Sequence, residues 1–179
     1  MKFYKILTQK KKNLKLAYKE ESILNNFNYF NGSNKFSFAV EYSPNEFNSI
    51  LSKNDVFSHF LNKNICQVIM TDHKYKALLN QVTNLCLKVT DVSFNQDIGN
   101  EDYELQLAIE RQDVKTINDE LSQVVDYFKV SIKEITFRND TGNMIKILSN
   151  GTIGLDENYL VENSVFSSLI DFLSLEETA

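Results

Sequence analysis

The 179-residue chain has no tryptophan, one proline, five glycines and two cysteines, and each scarcity removes a class of explanation. So few glycines supply phosphate-cradling loops poorly, and neither a Gly-x-Gly-x-x-Gly stretch nor a Gly-Lys-Ser/Thr loop occurs. The Gly-x-Ser-x-Gly turn that carries the nucleophile of many serine hydrolases is also absent. Cys66 and Cys86 allow one disulfide at most, and two free thiols are expected. No apolar run approaches the ~18 residues that span a bilayer. The apolar stretch near the amino terminus is short and broken by lysine, which is unlike a signal peptide. A cytoplasmic protein is therefore expected, and the Asn-x-Ser/Thr triplets at Asn31, Asn139 and Asn150 carry no weight.

What is present is an ordinary globular composition, 42% apolar and 24% charged. A chain of this length buries roughly 70% of the surface its unfolded form exposes, so a core is affordable without metal, cofactor or disulfide. With 13 Phe, the large core groups are mostly phenylalanine. The expected state is a monomer or weak dimer. The net charge of −5 hides an asymmetry. Residues 1–90 hold 13 Lys against 6 acids, a balance of +7; residues 91–179 hold 6 basic residues against 18 acids, a balance of −12. The first arginine is Arg111, so the basic part lacks the planar forks that favour phosphate and base recognition.

Patterning predicts a single α+β domain over residues 1–179, a mixed and mostly antiparallel sheet with packing helices. Residues 2–8 and 13–19 read as a hairpin around Lys10–Lys12, and Ser22–Phe30 as a short helix. Lys35–Tyr42 alternates with Phe36, Phe38, Val40 and Tyr42 on one face, the pattern of a half-buried strand. Ser43-Pro44 with Glu46 opens a helix, and a second short helix is expected over Val56–Leu61. A strand at Ile65–Met70, a helix capped by Asp72 and running to about Asn84, and a strand at 85–94 compose a β-α-β stretch able to place parallel neighbours. Tyr103–Ile109 alternates like another strand, and 117–128 has helical spacing. The carboxy-terminal third predicts a three-stranded meander: 130–138, a turn at Asn139–Gly142, 144–149, a tight turn at Asn150-Gly151 of the type I′ kind, and a strand from Thr152. A last helix opens near Asp156 or Asn158 and runs to Leu173.

Catalytic residue types collect only at His59, Cys66, Asp72, His73 and Cys86. Zinc modules pair ligands two to five residues apart, because a short loop presents both to one ion at low entropic cost. The spacing here is wider, and no metal site is predicted. Cys66 alternates with Val68 and Met70 like a buried structural thiol, and Asp72-His73 reads as a helix cap followed by an exposed residue. The balance favours a protein that is not an enzyme, with an unrecognised Cys/His site as the catalytic alternative.

A second alternative is a nucleic-acid-binding accessory protein that uses a lysine hairpin from Lys10 to Lys19 along a phosphate backbone. A pI of about 5.1 opposes it. The favoured expectation is a stoichiometric binder or inhibitor that acts through an acidic surface on a basic protein, in the manner of a toxin-neutralising immunity protein or a phage anti-defence protein. Its expected contacts are Glu101, Asp102, Glu104, Asp113, Asp119 and Glu120, where acids outnumber the local bases.

Overall fold

The computed structural model describes residues 1–9, 29–33, 36–52, 58, 60–62, 64–99, 102–157 and 164–175. The fold is α+β, with eight strands in mostly antiparallel pairings and helices packed on them. The chain divides into two compact units. The first comprises Met1–Val68, Gly151–Ile153 and Leu160–Ala179, and the second Ile69–Asn150 and Gly154–Tyr159.

The first unit is organised around β1 (Lys2–Gln9), which pairs antiparallel with β3 (Ser37–Glu41) from Tyr4 opposite Glu41 to Thr8 opposite Ser37. A short β2 (Tyr29–Asn31) lines the other edge of β3. Helix was expected up to Phe30; the described end of that segment is strand because it completes this edge. β4 (Ile65–Gln67) pairs antiparallel with Leu7 to Gln9, and the first residues of β8 (Thr152–Leu155) also neighbour β1. Ile6 is where one partner gives way to the other: its N–H donates to the Gly151 carbonyl and its carbonyl accepts from Val68 N–H, both at 3.0 Å. A Cβ on Gly151 would lie 2.0 Å from the Val68 carbonyl oxygen, and its φ is +71°. Glycine is thus required there by both space and backbone conformation.

Both faces of this sheet are covered, which is why β3 is buried along four successive residues and not on one face only. One face carries the cluster of Leu7, Phe38, Val40, Phe47 and Phe60, where Phe47 comes from α1 (Pro44–Leu51), a helix that begins at its proline as expected. On the other, α5 (Ser164–Ser174) sets Phe166 edge-on to Tyr4 and Phe30, with ring centres 5.4 and 6.1 Å apart. Residues 58 and 60–62 are helical where a short helix was expected. The lysine hairpin at 10–19, and Asn158 as a helix start, lie outside the described residues.

The second unit holds β5 (Leu87–Phe94), β6 (Ile132–Asn139) and β7 (Met144–Leu148) as an antiparallel run, continued past β7 by the end of β8. The predicted meander is therefore present as β6, β7 and β8. Its first turn is set by Asn139, whose side-chain oxygen accepts from the backbone of Thr141 and Asn143 while Gly142 takes φ of +87°. Its second turn differs from the expected type I′, which needs two positive φ angles, because Gly151 alone has one. The expected parallel neighbours do not form: β4 joins β1, and β5 is antiparallel to β6.

The helix after β4 is α2 (Asp72–Leu79), and its cap is Thr71, which accepts from Lys74 N–H. Asp72 instead takes the Ile132 N–H at 2.8 Å and fastens the helix to the start of β6. The helix ends at Leu79, short of the expected Asn84, as Gln81 and Val82 make tighter bonds to the carbonyls three residues back. Tyr75 is fully buried and donates to the carbonyls of Ile147 at 3.0 Å and Lys133 at 3.3 Å. Burial first, then the charges of Glu134 and Asp72, holds its phenol well above the usual range.

The largest correction concerns Tyr103–Ile109, which is not a strand. It belongs to α3 (Tyr103–Arg111), followed by α4 (Val114–Phe128). Apolar residues at 103, 105, 107 and 109 mimic a strand, yet the buried set is Leu105, Ala108 and Ile109, which is helical spacing. Tyr103 stays 64% exposed. Ala108 was the residue that separated the two periods.

Candidate functional site

The six predicted contact residues all fall in the second unit, and the five that are described lie on or beside α3 and α4. α4 is amphipathic: Ile117, Leu121 and Val124 turn inward, and Asp119, Gln123, Asp126 and Tyr127 recur on the exposed side at spacings of four, three and one. α3 buries Leu105, Ala108 and Ile109 and exposes Tyr103, Glu104 and Glu110. The two helices meet at Gln112, which caps α3 with a left-handed φ of +54°.

Gln112 also secures the pair to the sheet. Its side-chain amide accepts from Val89 N–H at 3.1 Å and donates to the Val89 carbonyl at 2.6 Å, as a neighbouring strand would. β5 has β6 on one side only, so this amide closes part of an open edge. The helices that carry the predicted contact residues thus rest on a side chain that no charge argument would have singled out.

The structure separates the predicted acids by what each already does. Asp102 is half-buried and accepts from Gln106 at 3.0 Å. Asp113 caps α4, accepting from the Thr116 hydroxyl at 2.8 Å and its N–H at 3.2 Å, and those bonds hold its carboxyl below the usual range. Asp119 lies in a groove between α2 and α4 that also presents Lys76 and Lys115, so both signs of charge line it. Glu104 is exposed in the first turn of α3. Glu101 lies outside the described residues. Glu120 lines a different groove, with Gln123, Val124, Asp126, Tyr127 and Phe128.

That second groove has two charged lining residues, Glu120 and Asp126, both acidic. Tyr127 is 81% exposed beside them, and its ring meets Phe128 edge-on at 4.9 Å and 81°. Sequence reasoning singled out neither Asp126 nor Tyr127. The signal was available, because residues 119, 123, 126 and 127 share a helical face that 117, 121 and 124 leave outward.

The Cys/His collection is divided between the two units. Cys66 is half-buried in the first unit, near the Asn64 carbonyl at 3.7 Å, and not fully buried as expected. Asp72, exposed His73 and exposed Cys86 belong to the second unit, and His59 lies outside the described residues. Among the described residues, no group of three His, Cys, Asp or Glu side chains could hold a metal ion, and no helix is long and apolar enough to cross a membrane. No family model, curated protein or solved structure matches the chain.

Proposed function

We propose that the protein is a non-catalytic binder that occupies a basic surface of another protein through the outward side of α4. The reading is of the same kind as a toxin-neutralising immunity protein or a phage-encoded anti-defence protein, which block a target by covering it. One observation carries it: Glu120 and Asp126 line one groove with an exposed tyrosine, on a helix with no basic residue between Lys115 and Lys129. The second unit as a whole holds 15 acidic and 9 basic residues, a formal balance of −6. Acidic surface of this kind repels itself, and a basic partner relieves the repulsion while gaining a steered encounter. Aromatic residues are enriched where such interfaces hold their affinity.

Capture from cell lysate at low and high salt, with the parent chain and with Glu120→Lys/Asp126→Lys, tests the proposal. The expected result is a basic protein held by the parent chain alone and released as the screening length falls from about 8 Å at physiological salt to about 3 Å at 1 M. Equal capture by the charge-reversed chain overturns the site. Recovery of nucleic acid indifferent to both substitutions overturns the class and favours the lysines from Lys10 to Lys19.

A further inference from the structure

We infer that Tyr127 is the anchor of the α4 surface and that it receives an arginine side chain of the partner, stacked on the ring and paired with Glu120 and Asp126. The inference rests on the binder reading and names the chemistry at its centre. Tyr127 is the most exposed large hydrophobic side chain among the described residues, at 81%. A ring on the surface loses its hydration cheaply when covered and brings large contact area with few rotatable bonds. Tyr127 meets Phe128 edge-on, so part of the apolar surface a partner would cover is already continuous with a second ring. The floor of the adjoining groove includes buried Val124, and its charged rim is acidic.

A neutral apolar side chain would cover the ring but leave the two carboxylates beside it unanswered. A lysine would answer one of them as a compact, strongly hydrated point charge. Guanidinium is planar, weakly hydrated and carries five N–H donors, so it can lie on the aromatic face while its edge donates to carboxylates. Tyr103, the other strongly exposed tyrosine of this unit, lines neither of the two grooves described above, which is why the anchor is assigned to α4.

The test uses the full chain with ¹³C-labelled tyrosine rings and two synthetic octapeptides, one alternating arginine with alanine and the other alternating lysine with alanine. The arginine peptide is expected to shift the Tyr127 ring resonances and to bind about three- to fivefold more tightly than the lysine peptide. Tyr127→Ala should remove that preference, and Tyr127→Phe should keep it, because the ring face and not the hydroxyl is required. Melting curves of both variants confirm that an 81% exposed side chain was changed without unfolding. Equal binding of both peptides, or an arginine preference that survives Tyr127→Ala, overturns the anchor. If both peptides then still lose affinity in Glu120→Gln/Asp126→Asn, the acidic surface stands without it. Binding of neither peptide at millimolar concentration overturns both readings.

Discussion

Ten of the 13 phenylalanines lie in the first unit and three in the second, while the formal charges are +1 and −6. The two units are of nearly equal length and reach stability by different means. The first fills both faces of its sheet with rings, and its long-range side-chain bonds among the described residues join Ser33 to Asp171 and Ser167 of α5. The second has an aliphatic core pinned by single directional bonds: Tyr75 to two strands, Asp72 to β6, Gln112 to β5. A core pinned by directional bonds can carry unbalanced charge on its outside without depending on that charge for its shape. That is the property a charged docking surface requires, and it places the α4 groove in the unit where charge is least compensated.

The sharpest way to break the comparison is at Gly151. Alanine there puts a methyl group 2.0 Å from a backbone oxygen at a φ of +71°, and neither neighbour is a flexible side-chain end. The expected loss is about 3 kcal/mol or more, combining overpacking with a left-handed backbone penalty. Chemical denaturation measures it, and native-state hydrogen exchange should place the damage at Ile6 and Val68. The same change at Gly32 meets Asp171 Oδ1 at 2.2 Å. That atom ends a side chain, which can turn aside at the cost of its 2.8 Å bond from Ser33 N–H, so about 1 kcal/mol is expected. Equal losses at the two glycines would contradict the account of Gly151.

In the second unit, Tyr75→Phe removes a hydroxyl and leaves the ring in place. Its two carbonyl partners are on β6 and β7, and Lys133 O keeps a bond from Ser149 N–H. A loss of about 1 to 2 kcal/mol is expected in denaturant melts. Gln112→Ala opens the β5 edge at Val89 and should cost about 1 kcal/mol, with faster exchange of the Val89 amide as the local readout. A Val89 amide that exchanges no faster in this variant would show that the edge is closed by something else.

Legibility in the sequence followed the same division. The meander, α1 and α4 were readable because a turn residue, a proline and a 3.6-residue apolar period each act locally. β5 was readable in part: a bulge between Val89 and Asp91 puts Val89 and Val92 on one side, which strict alternation forbids. α3 misled because alternation and helical spacing coexist over seven residues, and Ala108 is too small to weigh in a hydrophobic pattern. The charge division at residue 90 misallocated residues for a topological reason. The terminal segment with Glu162, Asp171, Glu176 and Glu177 returns to the first unit, and Lys74, Lys76 and Lys88 fall in the second. A contrast of +7 against −12 along the chain becomes +1 against −6 between the units. The proposed acidic surface stays in the second unit under this correction, and its proposed centre moves from Asp119, whose groove also presents two lysines, to Glu120 and Asp126.

The smallest expected effect carries a sign that separates the two units. Lys5 is 5% exposed, on the same side of β1 as Leu7, and its ammonium stands 4.9 Å over the ring of Tyr42. Burial lowers its pKa. The unfolded chain then holds the proton more tightly, so the charged form costs stability at neutral pH. That cost is relieved as pH rises from the folded pKa towards the ordinary value near 10.4. Lys5→Met keeps the length, removes the buried charge and forfeits the ring contact; a gain of less than about 1 kcal/mol at pH 7 is expected, narrowing as the pH approaches 10. Asp113 is the opposite case. Its bonds from Thr116 lower its folded pKa, so its contribution is present above the ordinary carboxylate range and is lost as pH falls through that folded value. Asp113→Ala should therefore be less stable than the parent chain at pH 7 and converge with it under acid, by an amount that solvent screening keeps small. Denaturant melts of the two variants and the parent at pH 3, 7 and 9.5 read both signs together. A Lys5→Met gain that widens with pH would show that the ammonium is held by a partner and not tolerated against its burial.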